Sequence, residues 1–230
     1  MRLFTNYLRA GAAASLLTLA AGTTGADIAK VSLYQESRTT TSTDNKSKTV
    51  TRKVWIKQPG KFRMEEVSGP DTRIMVSNGS DYWIALPSKK QGLHRVLNEV
   101  DVKRMRTSLQ VDIDAVPKFV KSGAKKTGQE KVNGILCDVY KYTNKEKLTF
   151  TLWVSATGQR LAQRQETSGV ARAAEAMGQP MSTHILKSTT DYLKWQIDQP
   201  LADSLFTKPV GVTYQEFKPG VGVVPAPAKK

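Results

Sequence analysis

The feature that most constrains this chain is a period of two. From residue 31 onward, short segments alternate apolar and polar side chains, each closed by turn-forming residues at a spacing of roughly ten. Residues 31–41 read as a Thr-rich strand, 48–57 (KTVTRKVWIK) as a second and 61–66 (KFRMEE) as a third, with Phe62 and Met64 on one side and charges on the other. Residues 72–77 (TRIMVS) and 81–86 (DYWIAL) follow, joined across Asn78-Gly79 and stopped by Pro87. Strands resume at Gly128 and turn at Asn133-Gly134; residues 135–143, 148–155, 159–167, 182–196 and 209–217 complete the set. Asn-Gly favours tight hairpins because both residues tolerate positive φ. About ten antiparallel strands with a small helical insert predict an α+β, mainly β fold. One sheet of that size twists and curls, and its concave apolar face must be filled. No internal repeat and no linker divides the chain.

Alternation is lost from residue 93 to 121. There Leu109, Ile113, Val116 and Val120 are spaced as a helical stripe, and Pro117 fits the first turn of a short helix capped near Asp114. This segment is the expected filler of the concave face. Residues 170–177 (VARAAEAM) are expected to be helical or irregular, ended by Gly178 and Pro180.

Both ends differ in character from the middle. Arg2 and Arg9 flank a short apolar run over 10–21, and Thr24-Gly25-Ala26 is a small-residue cleavage site before Asp27. The run falls short of the roughly 20 residues a bilayer span needs. Residues 1–26 are therefore expected to be a secretory signal peptide, with 27–218 as the folded domain and 219–230 as a disordered tail. No Cys follows the apolar run, so no stable membrane anchor is expected and the exported domain should be soluble and monomeric. Cys137, the single cysteine, sits in the apolar run Ile135-Leu136-Cys137 and reads as a buried small hydrophobe, so the core must hold without disulfides. The formal charge is +15. Export argues against nucleic acid, and the lysines, densest at Lys118, Lys121, Lys125, Lys126 and Lys131, read as solvated surface with weak attraction to anionic groups.

No catalytic or metal-binding constellation is present in the sequence, and no cofactor is implied. His94 and His184 are far apart, and no HExxH, GxSxG or paired-Cys spacing occurs. Ser122-Gly123-Ala124-Lys125 matches SxxK and Lys126-Thr127-Gly128 matches KTG, but they are adjacent where such motifs belong to distant segments. The chain is expected not to be an enzyme.

Residues 53–86 carry a resemblance. Trp55-Ile56-Lys57-Gln58-Pro59 leads through a turn to Phe62-Arg63; Val76-Ser77-Asn78-Gly79 ends a further strand, and Tyr82-Trp83 runs to Pro87. Phe206-Thr207-Lys208-Pro209-Val210-Gly211-Val212 closes the chain, while Gly134 to Tyr140 and Leu152-Trp153-Val154 to Gly158 fill the middle. In order and spacing these resemble the LolA-like lipoprotein carriers. The departures are the missing helix before the first strand, Gln58 where the carrier has a basic residue, and the insert at 93–121.

The resemblance implies an open, incomplete barrel whose helices cover the concave side and whose cavity holds acyl chains. It implies a periplasmic carrier that binds lipoprotein acyl chains or another lipid, between an inner-membrane release complex and an outer-membrane acceptor. The same fold could instead serve as a non-transporting interaction or envelope-stress sensor module. An acyl chain exposed to water costs about 0.8 kcal/mol per CH₂, so a carrier needs a large apolar surface. Trp55, Phe62, Met64, Ile74, Val76 and Trp83 are the expected lining, read as one apolar row on one face, with either Tyr82 or its neighbour Trp83 turned inward.

Overall fold

The computed structural model describes residues 32–44, 46–57, 60–108, 115–172 and 183–217. The expected signal peptide and tail lie outside the described residues, as do Gln58, Pro59, Leu109, Ile113 and Asp114. Twelve strands follow in order: β1 (Ser32–Thr43), β2 (Lys46–Lys57), β3 (Lys61–Ser68), β4 (Asp71–Ser77), β5 (Asp81–Leu86), β6 (Gln91–Val96), β7 (Lys125–Val132), β8 (Ile135–Thr143), β9 (Thr149–Ser155), β10 (Ala162–Arg172), β11 (Thr183–Ile197) and β12 (Thr213–Glu216). Two short helices, α1 (Glu99–Ser108) and α2 (Val116–Lys121), separate β6 from β7.

All twelve strands form one open sheet in the order β12-β6-β5-β4-β3-β2-β1-β11-β10-β9-β8-β7. Hairpin succession explains most of this order. Asn133 and Gly134 both take positive φ (52° and 82°), the conformation an Asn-Gly hairpin requires. At Asn78-Gly79 the Asn78 side-chain oxygen accepts from the backbone N–H of Ser80 and Asp81 (2.9 and 2.7 Å) and fixes the turn into β5. β12 reaches β6 from more than a hundred residues away, and the main long-range seam joins β1 to β11, from Leu33 opposite Ile197 to Thr43 opposite Leu186. It binds a half made of β1–β6 to a half made of β7–β11.

The architecture is the expected one, mainly β with a single open sheet and short helices, and five details of it differ. The sheet has twelve strands rather than about ten, and its edge strand β12 lies parallel to β6 while every other pair is antiparallel. Residues 93–96 are not helical: Leu93 pairs with Ile84 in β6 after a turn through Lys90, whose φ is 50°. That turn hid the strand, because Gln91-Gly92 interrupts the alternation on which the reading depended. Residues 170–172 continue β10, where Val170 lies opposite Ile185, because strand pairing outweighs local propensity there; residues 173–180, the rest of that expected segment with Gly178 and Pro180, lie outside the described residues. Helix α2 starts after Ala115, with no side-chain cap and with Pro117 in its first turn.

The buried residues fall into three clusters. One gathers Val116, Ala124, Tyr140, Leu152, Val154 and Ala162; a second gathers Leu33, Ile56, Phe62 and Met75. Trp195 packs against both, so they are two lobes of one layer. The third, Val76, Trp83 and Phe206, belongs to the opposite face. Cys137 is fully buried, as its apolar run predicted, and burial pushes its thiol up from the usual range.

Candidate functional site

Register decides which side chains share a face, because directly opposed residues point the same way. Val54 opposes Met64, which opposes Met75, which opposes Ile84, which opposes Leu93. One row on, Leu33 opposes Ile56, Ile56 opposes Phe62, Phe62 opposes Ser77, and Ser77 opposes Tyr82. These two rows, with Trp195 and Ile197 from β11, form a continuous apolar floor. Both helices lie on this side. Phe119 of α2 meets Tyr142 edge-on at 5.3 Å, and Asp101 of α1 pairs with Arg95, which opposes Tyr82. The helical segment thus sits on the inner face, as its sequence predicted.

The six expected lining residues do not form one row. Phe62 and Met64 stand on the inner floor. Trp55, Ile74, Val76 and Trp83 stand on the outer face, in register with Arg63, Glu65 and His94. The reason is the two-residue turn Gly69-Pro70, which sets Ser68 opposite Asp71, so even-numbered residues of β3 face odd-numbered residues of β4. Carrying one parity from Phe62 and Met64 on to Ile74 and Val76 therefore crosses the sheet. The residues missed were Val54, Ile56, Met75 and Ile84, which the length of that turn could have revealed.

The outer group has another occupant. Residues 199–214 run over it, and Phe206, 1 % exposed, inserts among Val76, Trp83, Trp55 and Ile74. Lys57 and Lys61 both hold Asp203 (2.9 and 3.0 Å), Lys57 donates to the Leu201 carbonyl (3.0 Å), and Arg63 donates to the Leu205 carbonyl (3.3 Å). Hydrogen bonds from the two lysines hold the Asp203 carboxyl below its usual range. Trp83 also stacks on His94 (5.6 Å), and His94 Nε2 lies 2.8 Å from Asp81 Oδ1; that contact holds the Asp81 carboxyl low. The outer aromatic row is therefore filled core.

The inner floor ends in a polar row. Arg52 opposes Glu66, and Glu66 opposes Arg73; the two guanidinium groups hold the two carboxylate oxygens at 2.8 and 2.9 Å. Beside them Tyr192 opposes Ser37, and burial pushes its phenol up, as it does that of Tyr82. Both phenols stay neutral at physiological pH. This floor can take an apolar chain and present charge at one end.

Elsewhere the chemistry is structural. Ser122 Oγ donates to the Lys118 carbonyl (3.1 Å) at the end of α2, and both Ser122 and Lys125 are exposed. Among the described residues no group of three or more His, Cys, Asp or Glu could hold a metal ion, and no helix is long and apolar enough to cross a membrane.

Two family models match the chain in succession. That of the outer membrane lipoprotein carrier protein LolA matches residues 30–131, and a family described as a predicted periplasmic protein (DUF2092) matches residues 109–211. Among solved structures, an uncharacterized conserved protein from Thermus thermophilus aligns at 8 % identity and TM-score 0.44, covering 83 % of this chain and 93 % of that one. The LolA superfamily protein NE2245 from Nitrosomonas europaea aligns at 16 % identity and TM-score 0.32, covering 77 % and 90 %. The Pseudomonas aeruginosa MucA/MucB complex aligns at 11 % identity and TM-score 0.39, covering 81 % of this chain and 58 % of that one. No curated protein matches the sequence. The fold is LolA-like and its place is the periplasm.

Proposed function

We propose that this LolA-like periplasmic chain is a carrier that binds lipoprotein acyl chains, or another lipid, on the inner face of its sheet and moves them towards the outer membrane. The observation that carries the reading is the inner floor from Leu33 to Ile84. It is a continuous apolar surface built by five successive strands inside the segment that matches the lipoprotein carrier. An apolar face of this extent in an aqueous compartment is stabilised only by apolar cover. Leu33, Ile56, Phe62 and Met75 are already buried within the fold, while Val54, Met64, Tyr82 and Ile84 beside them are only half-buried, and these are the positions a lipid chain would cover. An inner-membrane donor and an outer-membrane acceptor are part of the same proposal, and the binding role needs no catalytic group.

The test contrasts the two faces. Met64→Glu places a charge on the inner floor, while Ile74→Glu places one against the outer core. Each buries charge and should cost several kcal/mol of stability. Only Met64→Glu should abolish binding of a fluorescent acyl-chain probe, with a cooperative unfolding transition retained. A wild type that binds no acyl probe, yet captures a protein partner through the inner face, would replace the carrier with the interaction or sensor module.

A further inference from the structure

The polar row at the end of the inner floor makes the ligand's head group legible, given the carrier reading on which this inference rests. By register this end of the inner face, on β2–β4, carries Lys48, Arg52 and Arg73 against Glu66 and Asp71, while Arg95, paired with Asp101, lies at the opposite end beside Tyr82. The floor is bounded at this end by one more cation than anions. Arg73 pairs with Glu66 through Nη2, while its Nε is buried with no acceptor. A buried N–H donor without a partner is uncommon in a folded protein. The Arg73 side chain as a whole keeps about a quarter of its surface (26 %), so part of it faces solvent at the end of the floor.

The floor also sets the tail. From Arg52 to Ile56 along β2 is four residues, or ~13 Å at the rise of a strand. From Val54 across to Leu93 the floor spans four strand spacings, ~19 Å, which is wider than one acyl chain. The Arg52–Glu66–Arg73 row lies across the end of that width. We infer that the inner face takes a diacyl lipid whose singly charged phosphodiester sits against Arg73 and Arg52, in preference to an uncharged lipid with the same chains.

The experiment measures displacement of the fluorescent acyl probe by phosphatidylglycerol, by diacylglycerol of identical chains and by palmitate. Wild type should bind phosphatidylglycerol at least ~10-fold tighter than diacylglycerol, as expected for a charge-assisted hydrogen bond. High salt should shrink that ratio. In Arg73→Gln the ratio should fall towards one while diacylglycerol binding persists. Diacylglycerol binding and a cooperative melt show that the variant is folded, and the salt titration of wild type needs no variant. Equal affinity for phosphatidylglycerol and diacylglycerol in wild type, or a preference that survives Arg73→Gln, overturns the inference and leaves the carrier reading intact. Palmitate binding tighter than phosphatidylglycerol overturns the diacyl phosphodiester assignment. Failure of all three to displace the probe, or of the probe to bind, sinks the carrier reading itself.

Discussion

Gly92 shows how one residue can fix an edge. A Cβ there would stand 2.6 Å from Tyr214 Cε1 and 2.7 Å from the Ile84 carbonyl oxygen, one of which is backbone and cannot swing away. Tyr214 packs against the outer core, and its hydroxyl donates to the Pro209 carbonyl (2.9 Å). Gly92 therefore lets the ring of a β12 residue lie over β6. Gly92→Ala should cost about 1–3 kcal/mol, because both the Tyr214 ring and the Ile84 backbone must give way. A lowered urea midpoint with an unchanged slope would check it; a wild-type midpoint would mean that β12 and the β5–β6 pairing both yield freely. Arg73 is the residue-scale counterpart on the inner face, where its value lies in what it can still contact.

At the scale of elements, the segment of residues 199–214 determines which face of the sheet stays available. It holds the outer face by one buried ring, Phe206, and one exposed carboxylate, Asp203. Phe206→Ala removes a fully buried aromatic and should cost about 3–5 kcal/mol, read from the urea midpoint, with faster amide exchange in β4 and β5. The Asp203 contact acts with pH. Its carboxyl titrates lower in the fold than in the unfolded chain, so its contribution is present above the usual carboxylate range and is lost as pH falls through the folded value. Wild type should therefore be more stable than Asp203→Asn at neutral pH, and their urea midpoints should converge as pH drops below about 4. A gap that persists in acid would place the effect of Asp203 outside its charge.

Across the whole molecule, the β1–β11 seam makes one unit of two halves. Eleven residues of β1 pair with β11, and Trp195 is shared by the two inner lobes while its indole donates to the Ala162 carbonyl (2.9 Å). With no disulfide to hold the halves, they are stable together or not at all. Tryptophan fluorescence and far-UV circular dichroism should give superimposable denaturation curves. Refolding should be slow, on the scale of milliseconds to seconds or longer, because the seam closes a loop of most of the domain. Two separated transitions would show that β1–β6 and β7–β11 fold independently.

What the sequence by itself determined was local. Alternation set the strands from β1 to β5 nearly to the residue, Asn133-Gly134 set its hairpin, and Ile135-Leu136-Cys137 announced a buried thiol, because each depends on neighbours in the chain. Its motif order also carried the likeness to the lipoprotein carriers. What only the tertiary structure decided was which face each apolar residue serves. β4 and β5 are apolar on both sides, so their composition could not separate Met75 and Ile84, on the inner floor, from Val76 and Trp83, under Phe206. Parity across the Gly69-Pro70 turn and a cover drawn from residues more than a hundred positions away made that choice. β6, and the parallel pairing of β12 against it, were hidden for the same reason: a strand is stabilised by its partner, and its partner lies elsewhere in the chain.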